Sequence, residues 1–187
     1  IPLCSSELEA QAFASDDSIE ALAASTLVQL SVPAGSTYTQ VGGTCWAYAT
    51  ASAGCYLTNQ FIAPMTLYNS NTLTGNDVIV GGFQAFQYSD GTRIASQIVS
   101  PPSDQQVMNW MSSGVPFVVV LDKVGFSPTH AVVVCGTNQY SGSGFVVTVM
   151  NPQAGAYQAM TKNYSGVLYL SYNYNNYTWT NCAVVPM

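Results

Sequence analysis

Three residues of this sequence could together carry nucleophilic catalysis: Cys45, His130 and Asn151. Cys45 follows two glycines and a threonine and opens the uncharged segment CWAYATASAGCYL, residues 45–57, which predicts a helix buried on every side. A cysteine at a helix start lies beside unpaired backbone N–H groups and the positive end of the helix dipole, and both favour a thiolate. This position favours a nucleophile over a buried structural cysteine, the commonest role of a free thiol.

His130 and Asn151 lie at the outer ends of two segments rich in β-branched residues. The segments 130–135 and 145–150 are joined by TNQYSGSG, which is typical of a hairpin loop. If Gly136 pairs with Phe145, the same register sets His130 directly opposite Asn151, where the Asn side-chain oxygen can accept the imidazole N–H. A buried core histidine would explain His130 alone, and a turn before a proline would explain Asn151 alone. The hypothesis of a shared site rests on the two residues occupying paired positions.

The other cysteines have no comparable position. In the same register Cys135 points to the sheet face opposite His130, and Cys55 lies in the apolar helix. Five cysteines are an odd number, so in a secreted protein one reactive thiol remains when the other four pair. Three pairings of those four are open, and we favour Cys4–Cys55 with Cys135–Cys182.

The elements around these residues follow from capping and periodicity. Ser103 and Gln106 form a capping box that predicts a helix over 103–113, closed by Gly114. The β-branched run 117–121 adds a strand to the hairpin, which predicts an antiparallel meander. We also expect a short amphipathic helix at 15–25, a short strand around 78–80, and one or two strands in the tail 167–185.

Composition narrows the class of function. Three Lys and Arg stand against nine Asp and Glu, so no basic stripe is present and nucleic acid is not an expected partner. No apolar run approaches the ~18 residues of a membrane-spanning helix, so no membrane span is expected. One histidine and no Cys-x-x-Cys pair leave a zinc site without ligands, so we expect neither a metal nor a cofactor.

The low charge and the abundance of Tyr, Asn, Ser, Thr and Gly suit a secreted protein. The sequence starts at Ile1 rather than at a methionine, and we expect that a leader or propeptide has been removed. Asn163 and Asn176 each begin an Asn-x-Ser/Thr triplet that could accept a glycan, although such triplets also arise by chance in an Asn-rich chain.

The motifs resemble those of a known family. The segment QVGGTCWA, residues 40–47, resembles the nucleophile segment of papain-like cysteine peptidases, and THAV, residues 129–132, resembles their histidine strand. Asn151 stands where that family carries its orienting Asn or Asp. The resemblance covers residues 40–152 and is closest to the compact staphopain-like and bacterial effector-type peptidases.

The resemblance implies an α+β fold in two lobes. The chain would be a single catalytic domain, 1–187, with an N-terminal segment 1–39, a helical lobe 40–102 holding the nucleophile helix, and a mainly antiparallel β lobe 103–187. It also implies that Gln40 and the Cys45 N–H form an oxyanion hole. Two departures from plant papains are Gly42, where they carry a disulfide cysteine, and a one-residue shorter interval between Gln40 and Cys45.

The function predicted from these features is that of a secreted cysteine endopeptidase acting on a polypeptide substrate, with a removed propeptide or a protein inhibitor as a further partner. Two alternatives remain open. Acyl transfer of the transglutaminase type uses the same Cys-His-acid chemistry, and its products would distinguish it. A non-catalytic module binding carbohydrate or protein would suit the tail SYNYNNYTW, and it would lack a thiol that reacts stoichiometrically with an inhibitor.

Overall fold

The structure is a computed structural model that describes residues 28–125, 129–140 and 144–187. Within these ranges the chain forms nine strands, four α-helices and one 3₁₀ turn at Ser36–Tyr38. The helices are α1 Cys45–Thr58, α2 Pro64–Ser70, α3 Asp77–Gln84 and α4 Asp104–Ser112. The strands are β1 Val28–Gln29, β2 Ser96–Val99, β3 Phe117–Lys123, β4 Thr129–Tyr140, β5 Gly144–Asn151, β6 Ala156–Lys162, β7 Leu168–Tyr172, β8 Asn175–Thr178 and β9 Ala183–Pro186.

Strands β3 to β8 close into a six-stranded antiparallel barrel. Each pairs with the next along the chain, except that β8 returns to β3, which also pairs with β4. Paired positions such as Val147 with Met160, and Leu170 with Tyr177, bring buried side chains to the same face, inside the barrel. Strand β1 pairs with β4, while β9 pairs with β3 and carries β2 on its outer edge.

This architecture overturns the predicted fold class. A papain-like two-lobe fold would set a helical lobe beside a β lobe, whereas the described chain is mostly β, with a closed barrel and four short helices. The physical reason is the pairing of β3 with β8, which joins Asp122 to Thr178 and turns an open meander into a closed barrel. Alternation within each strand reveals its faces, but not which distant strand it pairs with.

The helix predicted at 45–57 is confirmed as α1, which packs against β3, β4, α2 and α3. Small side chains permit this close packing. A Cβ on Gly54 would lie 2.5 Å from the Phe86 ring, and a Cβ on Gly82 of α3 would lie 2.9 Å from Thr50. The helix ends at Thr58 and is capped by Asn59, which adopts a left-handed conformation with φ 54° and donates its N–H to Cys55 O.

Of the other helix predictions, the one at 103–113 is confirmed as α4, including its capping box between Ser103 and Gln106. The expected strand around 78–80 is wrong, because these residues belong to α3. Its buried residues Ile79, Gly82 and Phe83 have the three- and four-residue spacing of a helix, which the two glycines obscure. The helix expected at 15–25 lies outside the described residues.

The hairpin of β4 and β5 forms with a register different from the expected one. Val146 pairs with Asn138 rather than with Cys135, and the loop is shorter than 137–144 because β4 continues to Tyr140. A bulge between Val134 and Gly136 then shifts the pairing by one residue. Gly136 itself meets β1, where an added Cβ would lie 2.8 Å from Val28 O.

The tail contains more strands than expected. Three strands, β7, β8 and β9, occupy the region 167–185 in which one or two were predicted, and β6 was not predicted at all. The strands β7 and β8 complete the barrel, while β9 lies along β3 at Val118 and Val119. Within the described ranges, no helix is long and apolar enough to cross a membrane.

Candidate active site

Cys45 is the first residue of α1 and is preceded by a tight turn. Gly42 has a φ of 63°, which favours glycine, and the Thr44 hydroxyl donates to Val41 O at 2.6 Å. No side chain caps the start of α1. The half-buried Sγ of Cys45, a free thiol, accepts the backbone N–H of Ala131 in β4 at 3.4 Å. The packing of α1 on β4 thus sets the sulfur beside the residue that follows His130.

His130 and Asn151 are joined by a hydrogen bond between His130 Nε2 and Asn151 Oδ1, 2.7 Å long. Both are buried, His130 at 4% exposure and Asn151 at 0%. The observed register would continue from Val133 and Met150 to put Asn151 beside Val132, two residues from His130 on the same face. The predicted contact is therefore present, but between diagonal rather than directly opposed neighbours.

Asn151 is held by four further hydrogen bonds, two made by its side chain and two by its backbone oxygen. Its Nδ2 donates to Gln158 Oε1 at 2.6 Å, and its Oδ1 also accepts the Gln153 N–H at 3.0 Å. Its backbone oxygen accepts the N–H groups of Ala154 and Gly155. These bonds direct Oδ1 at the imidazole, because the amide nitrogen is already committed to Gln158.

Tyr177 of β8 packs against the imidazole. The ring centroids of His130 and Tyr177 are 5.1 Å apart with an interplanar angle of 44°, and Tyr177 is 5% exposed. Burial raises the pKa of the Tyr177 hydroxyl, its bond to Gln153 lowers it, and the nearby Cys45 raises it. Tyr177 therefore contributes to the burial of the imidazole.

Gln40 lies next to the turn that follows Asn151. Its backbone N–H donates to Pro152 O at 2.9 Å, and Gly35 N–H donates to Gly155 O at 2.8 Å, so the segment 35–40 lies along this turn. The side-chain Nε2 of Gln40 donates to Gly42 O at 2.8 Å, while its Oε1 is buried without a hydrogen-bond partner. The structure thus brings Gln40 near the turn that precedes Cys45, with its amide N–H directed at Gly42.

Burial dominates the protonation of the site. Burial raises the pKa of the Cys45 thiol above its ordinary value, although the backbone N–H groups of Ala131, Trp46 and Cys45 act in the opposite direction. Burial also lowers the pKa of His130, opposed by its hydrogen bond to Asn151. Both shifts favour the neutral forms, a thiol and a neutral imidazole, and so act against the thiolate that the helix start favours.

The remaining thiols are placed differently. Cys135 is fully buried and lies against Thr148 O at 3.6 Å, and burial raises its pKa. Cys135 and Cys182 are both free, so the predicted Cys135–Cys182 disulfide is wrong. The predicted partner of Cys55, Cys4, lies outside the described residues.

Among the described side chains, no group of three or more His, Cys, Asp or Glu could hold a metal ion.

Three contributors to the site were not predicted from the sequence: Gln153, Gln158 and Tyr177. Gln153 follows an Asn-Pro pair, and the turn chemistry of asparagine predicts an N–H two residues on as its partner. Gln158 and Tyr177 carry no such local signal, because β6 and β8 reach the site only through barrel pairing.

No protein-family model matches the chain, and no curated protein matches its sequence.

Proposed function

We propose that this protein is a cysteine peptidase that hydrolyses peptide bonds, with Cys45 as nucleophile, His130 as general base and acid, and Asn151 as the residue that orients His130. One arrangement carries this proposal: the Cys45 sulfur lies against the backbone of Ala131, while the adjacent imidazole is bound to Asn151. A nucleophile, a base and an orienting group in this relation define nucleophilic acyl chemistry, whatever fold carries them.

The proton path follows from which imidazole nitrogen is occupied. Nε2 is bound to Asn151 Oδ1, so Nδ1 is the nitrogen left to take the proton of the Cys45 thiol. As the sulfur attacks the carbonyl carbon, the thiol proton moves to Nδ1 and a tetrahedral intermediate forms. His130 then gives this proton to the departing amine, and the C–N bond breaks to leave a thioester on Cys45.

Hydrolysis of the thioester completes the cycle. Water attacks the thioester carbonyl and gives a proton to His130 Nδ1, and the C–S bond breaks. The proton returns to the sulfur and the acid product leaves, so both the thiol and the neutral imidazole are restored. This sequence begins and ends with neutral partners, in agreement with the directions of both pKa shifts.

The Cys45 N–H and the Gln40 side chain form the oxyanion site in this proposal. In the resting structure Gln40 Nε2 donates to Gly42 O instead, so the amide must turn towards the substrate oxygen. This rotation of the Gln40 side chain starts from an unfavourable conformation, because Oε1 is buried without a hydrogen-bond partner. Burial of such an atom costs about 1–3 kcal/mol. The new donor contact would be made to the negative oxygen, which is where it accelerates the reaction.

The setting proposed for this activity is extracellular. A chain with only 6% charged residues and an abundance of Tyr, Asn, Ser, Thr and Gly supports a secreted enzyme acting on polypeptides. A removed propeptide or a separate protein inhibitor would control such a peptidase before its release.

The experiment is a cleavage profile on a peptide library under reducing conditions, with products identified by mass. We expect hydrolysis, a fall to less than about one hundredth on Cys45→Ala, and little change on Cys182→Ala, a matched free thiol outside the site. Products joined to an added amine would instead identify acyl transfer. No reaction, together with no stoichiometric labelling of Cys45, would overturn the proposal in favour of a binding module.

A further inference from the structure

An open concavity of about 520 Å³ lies on the outside of the barrel. The turn between β6 and β7 forms one side of it, and β7, β8 and the end of β3 form the rest. Its described lining consists of Val124, Lys162, Asn163, Tyr164, Tyr169, Asn176 and Thr178. We call it the outer concavity.

The outer concavity is separate from the candidate active site. Successive side chains of a strand point to opposite faces, so Asn176 and Thr178 leave β8 on the face opposite Tyr177. Tyr177 contacts His130 inside the barrel, whereas Asn176 and Thr178 line the outer concavity. A ligand bound there would therefore not touch Cys45 or His130.

Its rim presents an unpacked aromatic side chain on a well-fixed turn. Tyr164 is fully exposed, with 112% of the accessible surface of a reference tyrosine. The turn below it is closed by hydrogen bonds from Asn163 N–H to Val167 O at 2.8 Å and from Gly166 N–H to Asn163 O at 2.9 Å. Asn163 Oδ1 also accepts the N–H groups of Ser165 and Val167. The fixed backbone places the ring at the rim, so that only the Tyr164 side chain itself must be ordered when a ligand binds.

The charges of the residues that line the concavity favour a neutral ligand. Lys162 is the one charged residue among the described residues that line the concavity, and its ammonium is paired with Asp104. The remaining polar groups are two amides, two phenols and a hydroxyl, which both donate and accept hydrogen bonds. Such groups match vicinal hydroxyls, and tyrosine rings match the C–H faces of a pyranose.

We propose that the outer concavity binds a neutral oligosaccharide, with Tyr164 and Tyr169 against sugar faces and Asn176 and Thr178 bonded to its hydroxyls. This inference does not depend on the proposed peptidase activity. An enzyme with such a site would be held on glycan-bearing material while its active site remains free.

Isothermal titration of the full chain tests the proposal, with cellotetraose, maltotetraose and N,N′,N″,N‴-tetraacetylchitotetraose as neutral probes and tetragalacturonate as the anionic comparison. The protein is made in a bacterial cytoplasm so that Asn163 and Asn176 carry no glycan. We expect saturable binding of at least one neutral probe at millimolar concentration, and weaker or no binding of tetragalacturonate. Absence of binding by all three neutral probes, or tighter binding of the anion, overturns the proposal.

Matched variants locate the binding. Tyr164→Ala should weaken the affinity about fivefold to tenfold, the loss expected for one aromatic contact, and Tyr164→Phe should keep most of it. Tyr174→Ala is the control, because Tyr174 is also fully exposed but does not line the concavity. Cys45→Ala should bind the sugar normally. Equal losses in the Tyr164→Ala and Tyr174→Ala variants would contradict the assignment to this site.

Discussion

His130 is 4% exposed and has its Nε2 bound to Asn151 at 2.7 Å, so in the proposed mechanism a single ring nitrogen remains for the thiol proton. The helix start at Cys45 and the contact of His130 with Asn151 were predictable, because a small apolar run after two glycines and a hairpin of β-branched residues are local patterns. The effect of burial on the pKa values of Cys45 and His130 could not be predicted in the same way. It depends on how deeply both groups are buried, and burial is set by Tyr177 and by strands distant in sequence.

At this scale the role of Asn151 can be separated from that of His130. Asn151→Ala should slow peptide hydrolysis by about a hundredfold, because the imidazole loses the acceptor that fixes its ring, yet it should leave Cys45 open to alkylation by iodoacetamide. His130→Ala should suppress both reactions, since it removes the proton acceptor itself.

Kinetics and mass mapping of the labelled thiol measure the two effects. Gln158→Ala should give a smaller loss than Asn151→Ala, because it frees the Asn151 amide without removing it. The remote, exposed Asn109→Ala is the control. A kinetically silent Asn151→Ala variant would remove Asn151 from the site.

Among the elements, the helices α1 and α4 were predicted because each carries a complete local signal: an uncharged apolar run in one, and a capping box in the other. The register of β4 and β5 was not, because the polar residues 137–144 predict a loop, whereas the strands continue to pair as far as Tyr140 and Gly144. The contact of His130 with Asn151 tolerated this error, since a diagonal neighbour on the same face is still within reach of a long side chain.

The packing of α1 predicts the effect of Gly54→Ala. Alanine favours a helix over glycine by about 1 kcal/mol, but its Cβ would lie 2.5 Å from the ring of Phe86, which is completely buried. Overpacking of this kind costs about 1–3 kcal/mol, so we expect a net loss of stability in denaturant unfolding. Gly43→Ala, whose added Cβ meets no heavy atom within 4 Å, should be close to neutral. A stabilised Gly54→Ala variant would show that this contact is looser than described.

At the scale of the whole molecule, the fold class predicted from the sequence was wrong. The motif resemblance covers local segments, and it suggested two lobes, whereas the fold is decided by the pairing of β3 with β8. That pairing joins Asp122 to Thr178, and no local pattern specifies it. The same closure brings Tyr177 to His130, so the part of the site that could not be predicted is the part that depends on the barrel.

The global stability should respond to the titration of His130. Burial lowers its pKa in the folded state, so the unfolded state binds more protons as the pH falls. The stability contribution is complete above the ordinary value of about 6.5 and is lost as the pH falls through the lower folded-state pKa. The chain has a single histidine, which makes the assignment direct.

Denaturant unfolding between about pH 7.5 and 5 measures this dependence, above the range in which carboxylates titrate. We expect stability to decrease towards acid in the parent chain and to vary less in His130→Gln. Stability in the parent chain that is constant or rises towards acid would mean that the imidazole is not buried in its neutral form.

The central claim, that Cys45 is acylated with the help of His130, is tested most directly by trapping the thioester. The protein is mixed with p-nitrophenyl acetate, quenched in acid within the first turnover and mapped by mass spectrometry. The account predicts one acetyl group per chain, located on Cys45, and much slower acetylation in His130→Ala. An acetyl group found mainly on Cys182, or acetylation of Cys45 at an unchanged rate in His130→Ala, would contradict it.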